Sequence, residues 1–114
     1  MRNDKERLQD ILEAIERIER YAPDGQHRFE QDELLQTWML HHIQIIGEAA
    51  RKLSDSVRTD HPEIPWPQII TMRNVLVHDY FGLDLQEVWM VVERDIPNLK
   101  PKIEAILQNM EESA

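Results

Sequence analysis

Cysteine is absent from the chain. That excludes a disulfide scaffold, a thiolate-held zinc ion and a thiol nucleophile. Glycine is scarce, with only Gly25, Gly47 and Gly82, and no glycine-rich phosphate loop can be built from them. Positive charge is also in short supply: 13 Lys+Arg stand against 22 Asp+Glu, a net charge of −9. This balance argues against a broad electropositive nucleic-acid surface, so any contact with nucleic acid has to be local. No long apolar run is present. The longest stretch without Asp, Glu, Lys or Arg in the most apolar region, Leu34 to Gly47, has 14 residues and includes two Gln, two His and a Thr. A membrane-spanning helix needs about 20 mostly apolar residues. Met1 to Asp10 alternates charges and shows no signal-peptide core. The expectation is a protein of the reducing cytoplasm, with no membrane partner.

Metal chemistry finds little support. There is no His-Glu-x-x-His pair and no Glu-x-x-His pair for a di-metal bundle. The adjacent His41 and His42 would point about 100° apart on a helix and cannot easily grip one ion. One half-buried and one surface imidazole is the plainer reading. Neither a metal nor a cofactor is expected.

What is there suits one domain over residues 1–114. A chain of this size can bury about two-thirds of its extended surface, so a core is possible without staples. Leu8, Ile11, Leu12, Ile15 and Ile18 follow helical spacing from about Asn3 to Arg20, with Asn3 or Asp4 as the cap. Pro23-Asp24-Gly25 closes that segment. A second helix is expected from about Phe29 or Gln31 to Leu53. It has one stripe at Leu35, Trp38, His42, Ile45, Ala49 and Leu53 and another at Ile43, Gly47 and Ala50. Two such faces suggest a central helix with neighbours on both sides, one of them brought close at Gly47 and Ala50. A short helix is expected near Asp55 to Asp60. Pro67 suits the first turn of a third helix, from Trp66 to His78 or Asp79. Asp84-x-x-Glu87 resembles a capping box ahead of Leu85, Val88, Trp89, Val92 and Ile96. Pro97 should kink or divide that helix. Ile103, Ile106, Leu107 and Met110 continue helical spacing, and residues 111–114 are expected to fray. No strand pattern emerges. The fold class is all-α, with four to five main helices.

The third helix carries the anomaly. On a wheel of about 100° per residue, Trp66, Ile69, Ile70, Leu76, Val77 and Tyr80 share one arc, and Arg73 falls in its middle. A guanidinium keeps its proton, so it needs an anion or a polar site there. A carboxylate such as Glu48 or Asp84 could supply that inside the bundle. Asn74 and His78 stack on the flank, near Thr71. Arg73 and His78 would stand about 140° apart with about 7.5 Å of rise between them. Either the arginine curls round, or a second copy of the helix completes the group.

The ordered set Arg73-Asn74-Val75-Leu76-Val77-His78-Asp79-Tyr80 resembles the R-x4-H-x-Y motif of HepT-type toxins in the HEPN superfamily. Ile46-Gly47-Glu48-Ala49-Ala50 resembles that family's second-helix signature. Pro65-Trp66-Pro67, the Leu83-Asp84 helix start, Val88-Trp89 and Asp95-Ile96-Pro97 fit as well, so the resemblance covers nearly the whole chain. It implies an up-and-down HEPN bundle that forms a homodimer. It also implies the toxin of a type VII-like toxin–antitoxin pair, a metal-independent endoribonuclease whose partner is a minimal nucleotidyltransferase. By the same resemblance Arg73 and His78 are the catalytic pair, Asn74 supports them, and Tyr80 accepts AMP from the antitoxin.

The chemistry agrees with those residue types. An imidazole with an ordinary pKa of about 6.5 can move protons near neutral pH. At a helix C-terminus the charged form would be favoured. A guanidinium fork fits phosphate oxygens. AMP on Tyr80 would bring an anion and bulk beside Arg73. Between Arg73 and Asp95, however, the only Lys or Arg residues are Arg73 and Arg94, against Asp79, Asp84, Glu87, Glu93 and Asp95. That stretch attracts RNA poorly. It leaves open a second reading, a HEPN module that engages its nucleotidyltransferase or a nucleotide with little turnover. A purely structural bundle with a buried arginine ion pair is the third.

Overall fold

The computed structural model describes residues 3–78 and 82–113. Helix α1 (Asp4–Glu19) starts where Asn3 accepts a hydrogen bond from the Glu6 amide at 2.9 Å. A 3₁₀ turn (Ala22–Asp24) leads into α2 (Gly25–Gln31) through Gly25, whose φ of +92° suits glycine. The helix expected from Phe29 or Gln31 is in fact two. Asp32 adopts an extended conformation and caps α3 (Glu33–Arg51), accepting from the Leu34 and Leu35 amides. The Asp32 carboxylate, its other oxygen held by Arg28, outcompetes the helix for those N–H groups and divides the segment.

Helix α4 (Asp55–Asp60) lies where it was expected, capped by Ser54. Ser54 also bonds the Asp4 carboxylate through both its amide and its hydroxyl, tying α4 to the start of α1. Helix α5 (Trp66–Leu76) carries Pro67 in its first turn. It ends at Leu76, not at His78 or Asp79. A two-residue antiparallel ladder follows, β1 (Val77–His78) on β2 (Gly82–Leu83), with Val77 opposite Leu83 and His78 opposite Gly82. Valines at 75 and 77 favour extended backbone over a further helical turn, and the Asp84 amide takes the Leu76 carbonyl at 3.0 Å.

Asp84 caps α6 (Leu85–Met90), its carboxylate accepting from the Glu87 amide at 3.1 Å. A π-helical turn (Val91–Asp95) joins α6 to α7 (Ile96–Ser113) without a break in the helical path. Pro97 lacks the N–H that an α-helix would direct at the Glu93 carbonyl, and the wider turn just before it absorbs that loss. The expected division at Pro97 therefore takes the form of a bulge. Helix α7 continues through Ser113, with Pro101 inside it.

The described residues are thus helical but for the turns and the small ladder, and the all-α class holds. Helix α3 is central, packing against α1 on one side and α5 on the other, while α7 closes over α1. The core runs through Leu8, Ile11, Ile15 and Ile18 of α1, Met39, Ile43 and Ile46 of α3, and Ile96 and Ile103 of α7, all essentially without solvent contact. Met39 and Ile46 lie outside the two stripes read from sequence. Trp38 and Ile45 from those stripes are only partly buried. Among the described residues no helix is long and apolar enough to cross a membrane.

Candidate active site

Helix α5 carries the motif, and its seat is set at three points. Trp66, at its first position, is buried and donates its indole N–H to the His61 carbonyl at 3.0 Å. Ile69 and Leu76 bury against the core. At its middle α5 lies on Gly47 of α3 so closely that a Cβ there would stand 3.1 Å from the Ile69 carbonyl oxygen and 3.4 Å from that of Ile70. The close approach expected at Gly47 is therefore real, and it is backbone against backbone.

Arg73 and Asn74 both lie in the last turn of α5, with Asn74 exposed. His78 stands two residues past the end of that helix, paired through its backbone region with Gly82. The wheel that set Arg73 and His78 about 140° apart therefore does not apply, because the chain leaves helical geometry between them. Tyr80 lies outside the described residues. Of the carboxylates considered as partners for Arg73, Glu48 is held by Arg51 at 2.7 Å on the exposed face of α3. Asp84 is the cap of α6.

The histidine pair divides into an inner and an outer ring, the inner one more deeply buried than the half-burial expected. His41 is exposed and His42 is 4% exposed. Nδ1 of His42 lies 2.8 Å from the Trp38 carbonyl, so it carries the proton and donates. Burial lowers the His42 pKa below the ordinary 6.5. The Trp38 hydrogen bond works against that, and the charges of His41, Arg17 and Arg20 add to the lowering. Among the described residues no three His, Asp or Glu side chains gather as metal ligands.

A groove of about 500 Å³ opens between α5 and the limb formed by α6, the π-turn and α7. Its α5 wall is Gln68, Ile69, Met72 and Leu76, the turns leading up to the motif. Its other wall includes Glu87, Val91, Asp95, Leu99 and Lys102. Reading the sequence did not single out this groove. The signal was available in Asp95, Asn98, Leu99 and Lys102, whose spacing places them on one face of a helix.

The Ribonuclease HepT-like family matches residues 11–106, which span the whole motif. The chain belongs to this family. A protein of Thermococcus cleftensis named "Probable ribonuclease HepT" is 40% identical over 106 residues, covering 92% of this chain and 96% of its own length. A protein of Caldanaerobacter subterraneus subsp. tengcongensis named "Putative RNase" is 33% identical over 109 residues, covering 95% and 97%. A Methanocaldococcus jannaschii protein named "Gamma-glutamylcyclotransferase and putative RNase" is 40% identical over 107 residues. They cover 93% of this chain but 48% of that protein, so there the HepT-like unit is one part of a longer chain. No solved structure matches the chain. HepT-like membership fits the helical bundle and assigns the motif-bearing segment from α5 to β1 a place in the family's matched region.

Proposed function

We propose that this chain is the toxin of a HEPN-type toxin–antitoxin pair in the cytoplasm, acting as a metal-independent endoribonuclease. The family match across residues 11–106, with Arg73, Asn74 and His78 in one continuous stretch at the end of α5, carries this reading. In the proposed reaction the ribose 2′-hydroxyl attacks the adjacent phosphorus and the bond to the 5′-oxygen breaks. One imidazole takes the 2′-hydroxyl proton, and an imidazolium gives a proton to the departing 5′-oxygen. The products are a 2′,3′-cyclic phosphate and a 5′-hydroxyl. Arg73 neutralises the charge that builds on the phosphoryl oxygens, where its fixed fork and permanent charge suit it. Asn74, exposed beside it, supports the substrate.

One chain brings one motif histidine and one motif arginine. A homodimer with two-fold symmetry brings two of each, so that His78 of one chain serves as base and its counterpart as acid. The antitoxin is a minimal nucleotidyltransferase that moves AMP from a nucleoside triphosphate to the Tyr80 hydroxyl, releasing pyrophosphate. The added phosphate anion and nucleoside bulk are then carried on the motif itself, two residues from His78, and they silence it.

The acidic stretch from Asp79 to Asp95 favours a second reading, a HEPN module whose acidic face engages the nucleotidyltransferase with little turnover. Expression without the antitoxin separates the two. Growth arrest that is abolished by Arg73→Ala and, separately, by His78→Ala, with both variants folded, supports the ribonuclease. Arrest unchanged in both variants overturns it. Coexpression with the nucleotidyltransferase should relieve the arrest and add the mass of one AMP to the peptide containing Tyr80, but not in Tyr80→Phe.

A further inference from the structure

We infer that the groove between α5 and the α6–α7 limb is a base-recognition subsite that takes one unpaired guanine of the RNA substrate. The inference rests on the ribonuclease reading and adds the specificity that reading lacks.

Its size and lining are those of a site for a small planar group. About 500 Å³ lies within the range of small-molecule sites, which are mostly apolar with a few placed polar groups. Ile69, Met72 and Leu76 form one apolar wall, and Val91 and Leu99 face them. Each of these belongs to the buried core or packs against it, so the walls are firm. Apolar and stacking contact with a base face needs such walls.

The rim supplies hydrogen-bonding groups that no other described residue uses. Gln68, Glu87, Asp95, Asn98 and Lys102 are all exposed, and none of their side chains has a hydrogen-bond or ion-pair partner among the described residues. Glu87, Val91 and Asp95 follow one another at four-residue steps down one wall. From Asp95, Asn98, Leu99 and Lys102 continue at helical spacing along α7. The π-turn forms the lower part of the first run, contributing both Val91 and Asp95 to the wall. Such bulges occur often at functional sites.

Two carboxylates and one ammonium make the rim net negative. A phosphate is therefore a poor occupant, and a neutral base rich in N–H donors is a good one. Guanine has the donor-rich edge: N1–H and the 2-amino group lie side by side and fit one carboxylate in bidentate fashion. Its O6 and N7 acceptors suit a lysine. Uracil and cytosine offer fewer adjacent donors, and adenine lacks N1–H. The position suits the chemistry as well. Leu76, at one end of the groove, is two residues from His78, about 7 Å of extended chain. A base held there belongs to a nucleotide beside the scissile bond.

The test uses the full chain with His78→Ala, which removes turnover, and single-stranded RNA hexamers that carry one G, A, C or U in an otherwise constant sequence. Binding is read by fluorescence anisotropy. The G hexamer should bind about tenfold tighter than the others. The double change Glu87→Gln and Asp95→Asn should erase that preference, with any gain in affinity from the lost negative charge shared by all four hexamers. Asn98→Trp, which fills the groove from an exposed position, should weaken the G hexamer by a similar factor. Thermal melts confirm that each variant folds. Equal affinity for all four hexamers, or a G preference unchanged in the double variant, overturns the subsite and leaves the ribonuclease reading standing. No binding of any hexamer by the parent chain sinks both. If Asn98→Trp splits a two-chain species into single chains in sedimentation while the base preference persists, the groove belongs to a second copy and the subsite is overturned.

Discussion

Gly47 offers the sharpest link between packing and activity. A Cβ added there would meet the Ile69 carbonyl oxygen at 3.1 Å and that of Ile70 at 3.4 Å. Both are backbone atoms inside α5, so no flexible side chain can swing aside, and the whole helix has to shift by a few tenths of an ångström. Replacing glycine by alanine within a helix gains roughly 0.5–1 kcal/mol. Overpacking a close contact costs roughly 1–3 kcal/mol. The balance for Gly47→Ala is a loss of about 1 kcal/mol, which for a domain of this size lowers the midpoint by about 4 °C. Gly47→Val adds two γ-carbons at the same interface and β-branching within a helix, and should lose more than about 3 kcal/mol. Urea titration with far-UV circular dichroism measures both. Because α5 carries Arg73, the alanine variant should also lose RNA cleavage out of proportion to its stability, as expected when a positioning element moves by a fraction of an ångström. A valine variant as stable as the parent would refute the close approach of α3 and α5, and with it the account of how the motif is held in place.

Three further outcomes are expected. Since burial lowers the His42 pKa, the folded protein prefers the neutral ring and the unfolded chain binds more protons below pH 6.5. Stability is therefore complete above that pH, falls by up to about 1.4 kcal/mol per pH unit as pH drops toward the folded pKa, and levels off below it. Melts across pH 5–8 should show this slope flattened in His42→Leu, and an unchanged slope would contradict it. Asp32→Ala removes the acceptor of the Leu34 and Leu35 amides and should cost about 1 kcal/mol in denaturant midpoint. Phe29 is the buried anchor of α2 and packs on Trp89 with ring centroids 5.5 Å apart. Phe29→Ala should cost about 3–5 kcal/mol, with amide exchange accelerated first in α2.

Much of this arrangement was legible in the residues. Leu8, Ile11, Ile15 and Ile18 repeat every three to four positions and bury as one face. Gly47 and Ala50 announced the close neighbour, and Asp84-x-x-Glu87 announced the α6 cap, because each signal acts within a turn or two. Three features were not legible. The break at Asp32 depends on one side chain capturing two amides in competition with helix continuation, and spacing alone does not weigh that contest. The end of α5 at Leu76 depends on a long-range choice, since the Leu76 carbonyl bonds the Asp84 amide eight residues on. The groove needs both of its walls, and Gln68 and Asp95 line one space only once α5 packs against the limb of α6, the π-turn and α7. For the site itself, the ordered motif gave residue types and a family, while the helix wheel misplaced His78 because it assumed one continuous helix.

The central claim is chemical and one measurement meets it directly. Purified chain, with Tyr80 shown to be unmodified by mass spectrometry, is incubated with a small structured RNA in excess chelator, and the new ends are mapped. The account predicts 2′,3′-cyclic phosphate and 5′-hydroxyl ends that vanish in folded Arg73→Ala and in folded His78→Ala. Intact RNA at high protein concentration, or the same ends persisting without His78, would contradict it.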